Sequence, residues 1–486
     1  MTKIVNCDYL VIGSGSGGSV AFRELAKDGK DVLLVEEGYE WKKKDFDAPI
    51  SELTQKIYRG GGITPFLGNP PIGFGEGVAL GGSTVINGGL LWRTPKWILD
   101  EWHNKGITGY QEKDLSPYFD EIESSLNVKK EIELVSYDLD SQIIGQSAEE
   151  LGWKVVDTPR ATINCSRKNQ CGAGCPSGAK QSVDKTYIHS GKEFGGRVLT
   201  GIKIEHLKKT KGRIDLVIGM DLQTRKKIIF KCKVVFLAAG AINTPLLLKR
   251  GKISKSAGKR LQFHINLKVF AKFPNKIAAN KGTIFTRQVQ EYEKEGLLIM
   301  GTNYNLPYLA TTLSHLENDL FNEYFRAYEN SAIYTPMIKP VGSAKIYDFF
   351  GETVIKHNLD PVEDLCKLRK ALKVTSKLMF NAGAQVLILP LEGSKPVFSY
   401  LDAIKVIKQA ALKKFQMLSV HAMSSCAMGI NDQNVCDLNG KVRGIKNLYI
   451  CDASVLPTNI GESPQGTIMA FSHMIVDRYL NKIKVI

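Results

Sequence analysis

Asp8-Tyr9-Leu10-Val11-Ile12-Gly13-Ser14-Gly15-Ser16-Gly17-Gly18 joins a strand-like apolar run to a glycine cluster, and a second apolar run, Val32 to Val35, ends at Glu36, 23 residues after Gly13. The pattern is a strand, a glycine turn, a helix start and a strand closing on an acid. Gly13 permits the tight turn, and Gly15 lets the backbone approach a pyrophosphate. Gly18 lets the helix pack close to the strand, and from Ser16 onward the free N–H groups of the helix start point at the anion. Glu36 is placed to accept hydrogen bonds from a ribose 2′-OH. The context on both sides of the glycines predicts a dinucleotide site on an α/β sheet.

The rest of the chain bounds this reading. At 486 residues it exceeds what one core usually supports, so two or more domains are expected. An apolar fraction of 43% with 45 glycines fits a globular α/β protein rich in tight turns. The net charge of +16 comes from scattered lysines; the clusters Lys42-Lys43-Lys44, Lys208-Lys209 and Lys226-Lys227 are short and lack interleaved aromatics. They read as solvated faces, so no nucleic-acid partner is expected. The longest mainly apolar stretches, such as Val234 to Ile242 and Gly466 to Met474, fall short of a bilayer span, so no transmembrane segment is expected. The first apolar run lacks the charged start and cleavage site of a leader, and a cytoplasmic protein is the expectation. Nine cysteines, an odd number, do not make a disulfide scaffold, and any cysteine cluster is read first as metal or redox chemistry.

Residues 70–95 are dense in glycine, with Gly73-Phe74-Gly75-Glu76-Gly77, Gly81-Gly82-Ser83-Thr84 and Asn87-Gly88-Gly89, which implies backbone lying close to a bound group. A helix is predicted just after Pro95, with Ile98, Leu99 and Trp102 on one face. Residues 195–235 read as a short meander turning at Lys211-Gly212. Val234 to Gly240 reads as a buried strand followed by a helix starting near Thr244-Pro245. Further helices are predicted from Pro361 to about Asn381 and from about Pro464 to Leu480, and Leu448-Tyr449-Ile450-Cys451-Asp452 reads as a short buried strand ending in an acid.

Five stretches, in this order, resemble the glucose–methanol–choline family of flavin oxidoreductases. They are Gly13–Gly18 with Glu36; Gly81-Gly82-Ser83-Thr84-Val85-Ile86-Asn87; Ala239-Gly240-Ala241-Ile242-Asn243-Thr244-Pro245; His421-Ala422-Met423-Ser424-Ser425-Cys426-Ala427-Met428-Gly429; and Cys451-Asp452-Ala453-Ser454-Val455-Leu456-Pro457-Thr458. The resemblance implies a Rossmann-like FAD-binding domain plus a substrate domain of antiparallel sheet and helices. Its expected boundaries are 1–95, 191–264 and 421–486 for the three parts of the FAD domain, the last carrying the catalytic loop. Residues 96–190 form a helical and cysteine-loop segment, and 265–420 the substrate domain. The implied chemistry is oxidation of an alcohol, a sugar or a lipid-like alcohol, by hydride transfer to FAD. The FAD is expected to be non-covalent, because Ile86 precedes Asn87 with no histidine nearby. Gly13, Gly15, Ser16, Gly18, Glu36, Gly82, Ser83, Asn87, Gly240, Asp452, Gly466 and Thr467 are the expected cofactor contacts. Asp452 is assigned to the ribityl chain, and Gly466 and Thr467 to the helix end facing the flavin ring.

An alcohol C–H gives hydride readily only when its O–H proton is being removed, so a base must stand beside the flavin; His421, in the family-like loop, is the expected base. His264, His315, His357 and His473 have no such context and read as structural. The family's second polar partner, asparagine or histidine, is replaced by Ser463, a poor base, with Asn459, Glu462 and Gln465 as nearby alternatives. The loop from Asn164 to Pro176 carries Cys165, Cys171 and Cys175 with glycines between, and Pro176 after the last. It is similar to the cysteine loops of dye-linked sugar dehydrogenase catalytic subunits and long-chain alcohol oxidases. A three-iron (3Fe-4S type) iron–sulfur cluster there is one expectation and a loop that only shapes the fold is the other. A cluster would make the enzyme a dehydrogenase passing electrons to an external acceptor or a partner electron-transfer protein. The alternatives are an oxygen-using alcohol oxidase and a non-catalytic flavoprotein or electron-transfer subunit.

Overall fold

The computed structural model describes residues 3–130, 138–302, 304–349 and 351–484. The fingerprint run lies in the strand Lys3–Ile12, whose apolar end, Leu10 to Ile12, is buried. It pairs in parallel with Val32–Val35 on one side and Lys227–Leu237 on the other. Arg197–Leu199 and Leu448–Ile450 extend the parallel part at its two sides, and Arg213–Asp221 and Ile202–Thr210 return antiparallel. The two antiparallel strands turn at Lys211 and Gly212, both with positive φ (48° and 74°). The apolar runs at 228–230 and 234–237 form one strand. Along its other edge its first part pairs with Arg213–Asp221 and its last with Leu448–Ile450, so that edge serves two neighbours.

The helix Ser16–Lys27 packs its buried face, including Val20, Phe22 and Leu25, against the C-terminal helix Gln465–Lys484 and the helix Tyr187–Glu193. The predicted helix after Pro95 is Lys96–Asn104, with Ile98, Leu99 and Trp102 buried as its periodicity requires. Trp102 and Tyr110 close on Phe471 at centroid distances of 5.5 and 4.5 Å, which ties this segment to the end of the chain.

The second sheet is a ten-stranded, mainly antiparallel one. At its centre Ser331–Ile338 is buried at every position and pairs with Ile265–Asn266, Val269–Lys272 and Leu297–Thr302. One face of this strand presents Thr335 and Met337 to a large cavity; the helix Glu363–Asn381 also packs against the strand. Thr64–Phe66, Ile72–Phe74 and Val155–Asp157 also join this sheet, although their stretches were expected in the first FAD segment and the helical segment. Three-residue strands leave no periodicity to read. Among the described residues no helix is long and apolar enough to cross a membrane.

Candidate active site

A cavity of about 670 Å³ lies between the two sheets. Its nucleotide side is built by the fingerprint. Gly13 takes φ +96°, and a Cβ there would fall 2.2 Å from the Ala238 carbonyl oxygen; a Cβ on Gly18 would fall 2.0 Å from the Gly13 carbonyl oxygen. Both glycines are therefore demanded by backbone packing. Gly15 differs. It is extended (φ −65°) at the helix N-cap, and a Cβ there would meet nothing within 4 Å. Gly82 packs against the Gly15 backbone, and a Cβ on Gly82 would fall 2.9 Å from the Gly15 Cα, so close packing demands this glycine too. The open groove lies in the Gly15 Cβ direction, at a helix N-terminus.

Glu36 lines this end and is buried. It accepts from the Ser14 amide (2.9 Å), the Ser14 hydroxyl (2.6 Å) and the Gly38 amide (2.8 Å), while burial raises its carboxyl above the ordinary range. Asp452 also lines the cavity. Its carboxylate accepts from the Gly240 amide (2.9 Å), the Thr244 hydroxyl, and the amide and hydroxyl of Ser454, and burial raises it as well. It therefore joins the start of the helix Gly240–Arg250 to the turn Ala453–Val455. Gly13, Gly15, Ser16, Gly82, Ser83, Asn87 and Gly240 line the cavity too. Asn87 donates to Gln465 Oε1 at 2.6 Å, linking the second motif to the last helix. Gly18, Gly466 and Thr467 do not line it. A Cβ on Gly466 would strike the Trp92 carbonyl, and the Thr467 hydroxyl pairs with that of Thr94 (2.8 Å), so these two pack away from the cavity while Ser463, Pro464, Gln465 and Ile468 face it.

His421 and Ser463 both line the cavity. His421 sits between the strands Met417–Ser419 and Ala422–Met423 and faces His264 on the antiparallel partner, whose amide donates to the His421 carbonyl. The two rings meet through their Nδ1 atoms at 3.1 Å, nearly perpendicular. The Gly461 amide donates to His264 Nε2 at 3.1 Å. A neutral His264 accepting there keeps its proton on Nδ1 and gives it to Nδ1 of His421, which leaves the His421 proton on Nε2. Burial pushes His421 down to about 4 and His264 well below 6.5, so both rings are neutral near pH 7. His264, read from sequence as structural, is thus the direct partner of the expected base. Two of the other histidines have partners away from the His421 pair: His357 meets the Pro70 carbonyl (2.8 Å) and His473 the Tyr187 hydroxyl (3.0 Å). Glu462 and Asn459 are buried off the cavity. Glu462 accepts from Gln288 (2.6 Å) and the Ser463 amide (2.8 Å), and burial raises it to about 7.

The cysteine loop forms one wall through Asn169, Gly172 and Ala173; none of its three cysteines lines the cavity. No three of their sulfurs lie within 4.8 Å of one another among the described residues. The expected convergence gives way to separate partners: Cys165 Sγ meets the Thr283 hydroxyl (3.8 Å), and Cys175 Sγ meets the Ser177 hydroxyl and the Lys180 amide (both 3.4 Å). The loop is fixed by the buried Lys180, whose ammonium donates to the carbonyls of Val85 (2.6 Å), Asn87 (2.9 Å) and Cys171 (2.9 Å). Burial lowers Lys180 to about 8, against the pull of Cys171 and Cys175. Sequence reasoning missed Lys180, as it missed Tyr58, Arg59 and Lys268, all of which border the cavity or its walls.

Family profiles described as GMC oxidoreductase match residues 54–266 and 348–472. The chain belongs to the GMC oxidoreductase family. It is 30% identical, over 98% of its length and 95% of the relative, to an uncharacterized GMC-type oxidoreductase of Sinorhizobium fredii. It is 27% identical to long-chain-alcohol oxidase FAO3 of Arabidopsis thaliana, over 98% of this chain and 68% of that one. Among solved structures, a pyridoxine 4-oxidase from Mesorbium loti superposes with a TM-score of 0.73 at 16% identity, covering 98% of this chain and 99% of the other. An Aspergillus oryzae formate oxidase gives 0.75 at 14%, covering both chains fully. These likenesses show the fold. This GMC oxidoreductase is an FAD-dependent oxidoreductase, and its groove fits the cofactor: the space in front of Gly15 is empty of protein and lies at a helix start.

Proposed function

We propose that this GMC oxidoreductase oxidises the CH–OH group of an alcohol and passes the electrons to an external acceptor, as a dehydrogenase. The observation that carries the reading is His421. Its Nε2 has no protein partner among the described residues, and the ring lines the same cavity as the Gly15 groove and Ser463. FAD bound in that groove supplies the acceptor for the hydride leaving the carbinol carbon. The fingerprint residues and Glu36 hold the nucleotide end, and the Ser463 hydroxyl orients the substrate oxygen.

His421 takes the hydroxyl proton at Nε2. The lone pair must first be there: His421 gives up its Nε2 proton to the cavity and takes the shared proton at Nδ1, His264 regains a proton at Nε2, and the Gly461 amide loses its acceptor. Leaving a buried donor unsatisfied costs about 1–3 kcal/mol. A positioned base contributes roughly two to four powers of ten, about 3–5 kcal/mol, so an exchange costing about 1 kcal/mol leaves most of that gain and one costing about 3 kcal/mol leaves a remainder only toward its upper end. All nine cysteines are free thiols, as the reducing conditions of a cytoplasmic setting would keep them. A cluster in the cysteine loop belongs to this reading only if the thiols turn inward from Thr283 and Ser177; iron and acid-labile sulfide in anaerobically purified protein would decide it.

The test is anaerobic mixing of the holoenzyme with a panel of alcohols while flavin absorbance is followed. Bleaching by at least one alcohol is expected; no bleaching by any would favour a non-catalytic flavoprotein. The second reading, an oxygen-using oxidase, is favoured by the long-chain-alcohol oxidases among the relatives. Stoichiometric peroxide on aerobic turnover would select it.

A further inference from the structure

Four cationic side chains line the cavity: Arg59, Lys203, Arg250 and Lys268. Three of them have carboxylate partners. Arg59 pairs with Glu76 (2.6 Å) and Glu37 (3.0 Å), Lys203 with Glu37 (3.8 Å) and Arg250 with Asp348 (2.9 Å). Lys268 has none among the described residues. Its ammonium reaches only the Thr311 hydroxyl, at 3.4 Å, and the face of the Tyr308 ring, 3.6 Å from the centroid.

The carboxylates that line the cavity are all engaged elsewhere. Glu36 is held by Ser14 and Gly38, Glu37 and Glu76 by Arg59, and Asp452 by Gly240, Thr244 and Ser454. Lys268 also lies between two strands of the other sheet from the one that carries the glycine fingerprint. It follows the strand Ile265–Asn266 of the second sheet and shares the cavity with Thr302, Thr335 and Tyr308. An ammonium carries three donors and no acceptor, and one taken out of water without an anion is held at a cost. Burial accordingly lowers Lys268 to about 7.

We propose that Lys268 binds a carboxylate carried by the substrate, so that the alcohols this enzyme oxidises are hydroxy acids. The proposal rests on the alcohol-oxidation reading and narrows it. Lys268 lies four residues beyond His264, the partner of His421, and an extended chain of that length spans at most about 14 Å. The carbinol and the carboxylate are therefore expected on one short or medium chain, with the hydroxyl at His421 and the acid at Lys268. Thr311 holds the ammonium in place, and the Tyr308 ring shields it from water.

The test compares 6-hydroxyhexanoate with 1-hexanol as reductants of the flavin in the anaerobic holoenzyme, and titrates hexanoate as a non-reducing ligand by its perturbation of flavin absorbance. The ratio of reduction efficiencies should favour the acid by roughly ten- to hundredfold, the scale of a hydrogen bond between charged groups. In Lys268→Met that ratio should collapse toward one, and hexanoate should no longer perturb the flavin. Lys268→Gln serves the same comparison should the Met variant not retain FAD. A wild-type ratio of one or below, or a ratio that survives both substitutions, overturns the anchor while leaving alcohol oxidation standing. If neither compound reduces the flavin, the alcohol panel decides alcohol oxidation. The hexanoate titration then judges the anchor alone: saturable, Lys268-dependent perturbation upholds it and none rejects it.

Discussion

Gly15→Ala tests the proposal that Gly15, unlike the glycines that shape the fold, admits the cofactor. Gly15 has φ −65° and ψ −165°, a conformation open to any L-residue, and an added Cβ meets no protein atom within 4 Å. The apoprotein should therefore fold normally, and loss of glycine freedom in the unfolded chain should stabilise it by about 0.4–1 kcal/mol. The methyl group instead enters the open groove in front of the helix start. Extra volume in a filled site costs about 1–3 kcal/mol, which weakens FAD binding by a factor of about 5 to 150. Gly17→Ala is the control, since its Cβ would sit 1.8 Å from the Cys451 carbonyl oxygen, a backbone atom that cannot yield cheaply. That variant should lose apoprotein stability first. Thermal unfolding of both apoproteins, with FAD titrated by quenching of its fluorescence, reads the two effects separately. Wild-type FAD affinity in Gly15→Ala, or a marked loss of its apoprotein stability, would refute the groove assignment.

His421→Ala should slow flavin reduction by alcohol by roughly two to four powers of ten in stopped-flow while retaining FAD, and His264→Ala should slow it less. Because burial holds His421 at about 4, the wild-type rate should be flat from about pH 5 upward and fall as pH drops through 4; a rate that instead falls near pH 6.5 would show an exposed, unperturbed base. Glu462 is raised from 4.5 to about 7, so its folded form holds a proton that the unfolded form has released between those values. Its contribution is fully present below pH 4.5 and is lost as pH rises through 7. Glu462→Gln should therefore gain stability over wild type with rising pH, by up to about 3 kcal/mol at pH 8, in denaturant titrations at the two ends of that window.

The parts of this molecule that were legible in the sequence are those whose physical demand is local. The glycine turn, the acid closing the second strand and the helices after Pro95 and Pro361 follow from backbone conformation and periodicity, and they form where expected. The placement of His421 in the cavity was legible through its motif, but His264 was not, because its role exists only through antiparallel pairing with a distant strand and an amide from a third segment. The cysteine loop shows the same limit from the other side. Its spacing suggests ligands, yet the sulfurs of Cys165 and Cys175 turn to hydroxyls and an amide supplied by Thr283, Ser177 and Lys180. Lysine is the residue most readily assigned to solvent, and here two lysines contradict that habit for different reasons. Lys180 is satisfied by three backbone carbonyls and acts as a strut. Lys268 has one hydroxyl and one ring face, in a cavity whose carboxylates are already engaged. Composition cannot tell these two apart, since both count only as one positive charge among 65. What separates them is whether the protein itself completes the shell of acceptors around the ammonium. Where it does, the residue belongs to the fold; where it does not, the missing acceptor is a specification for the ligand.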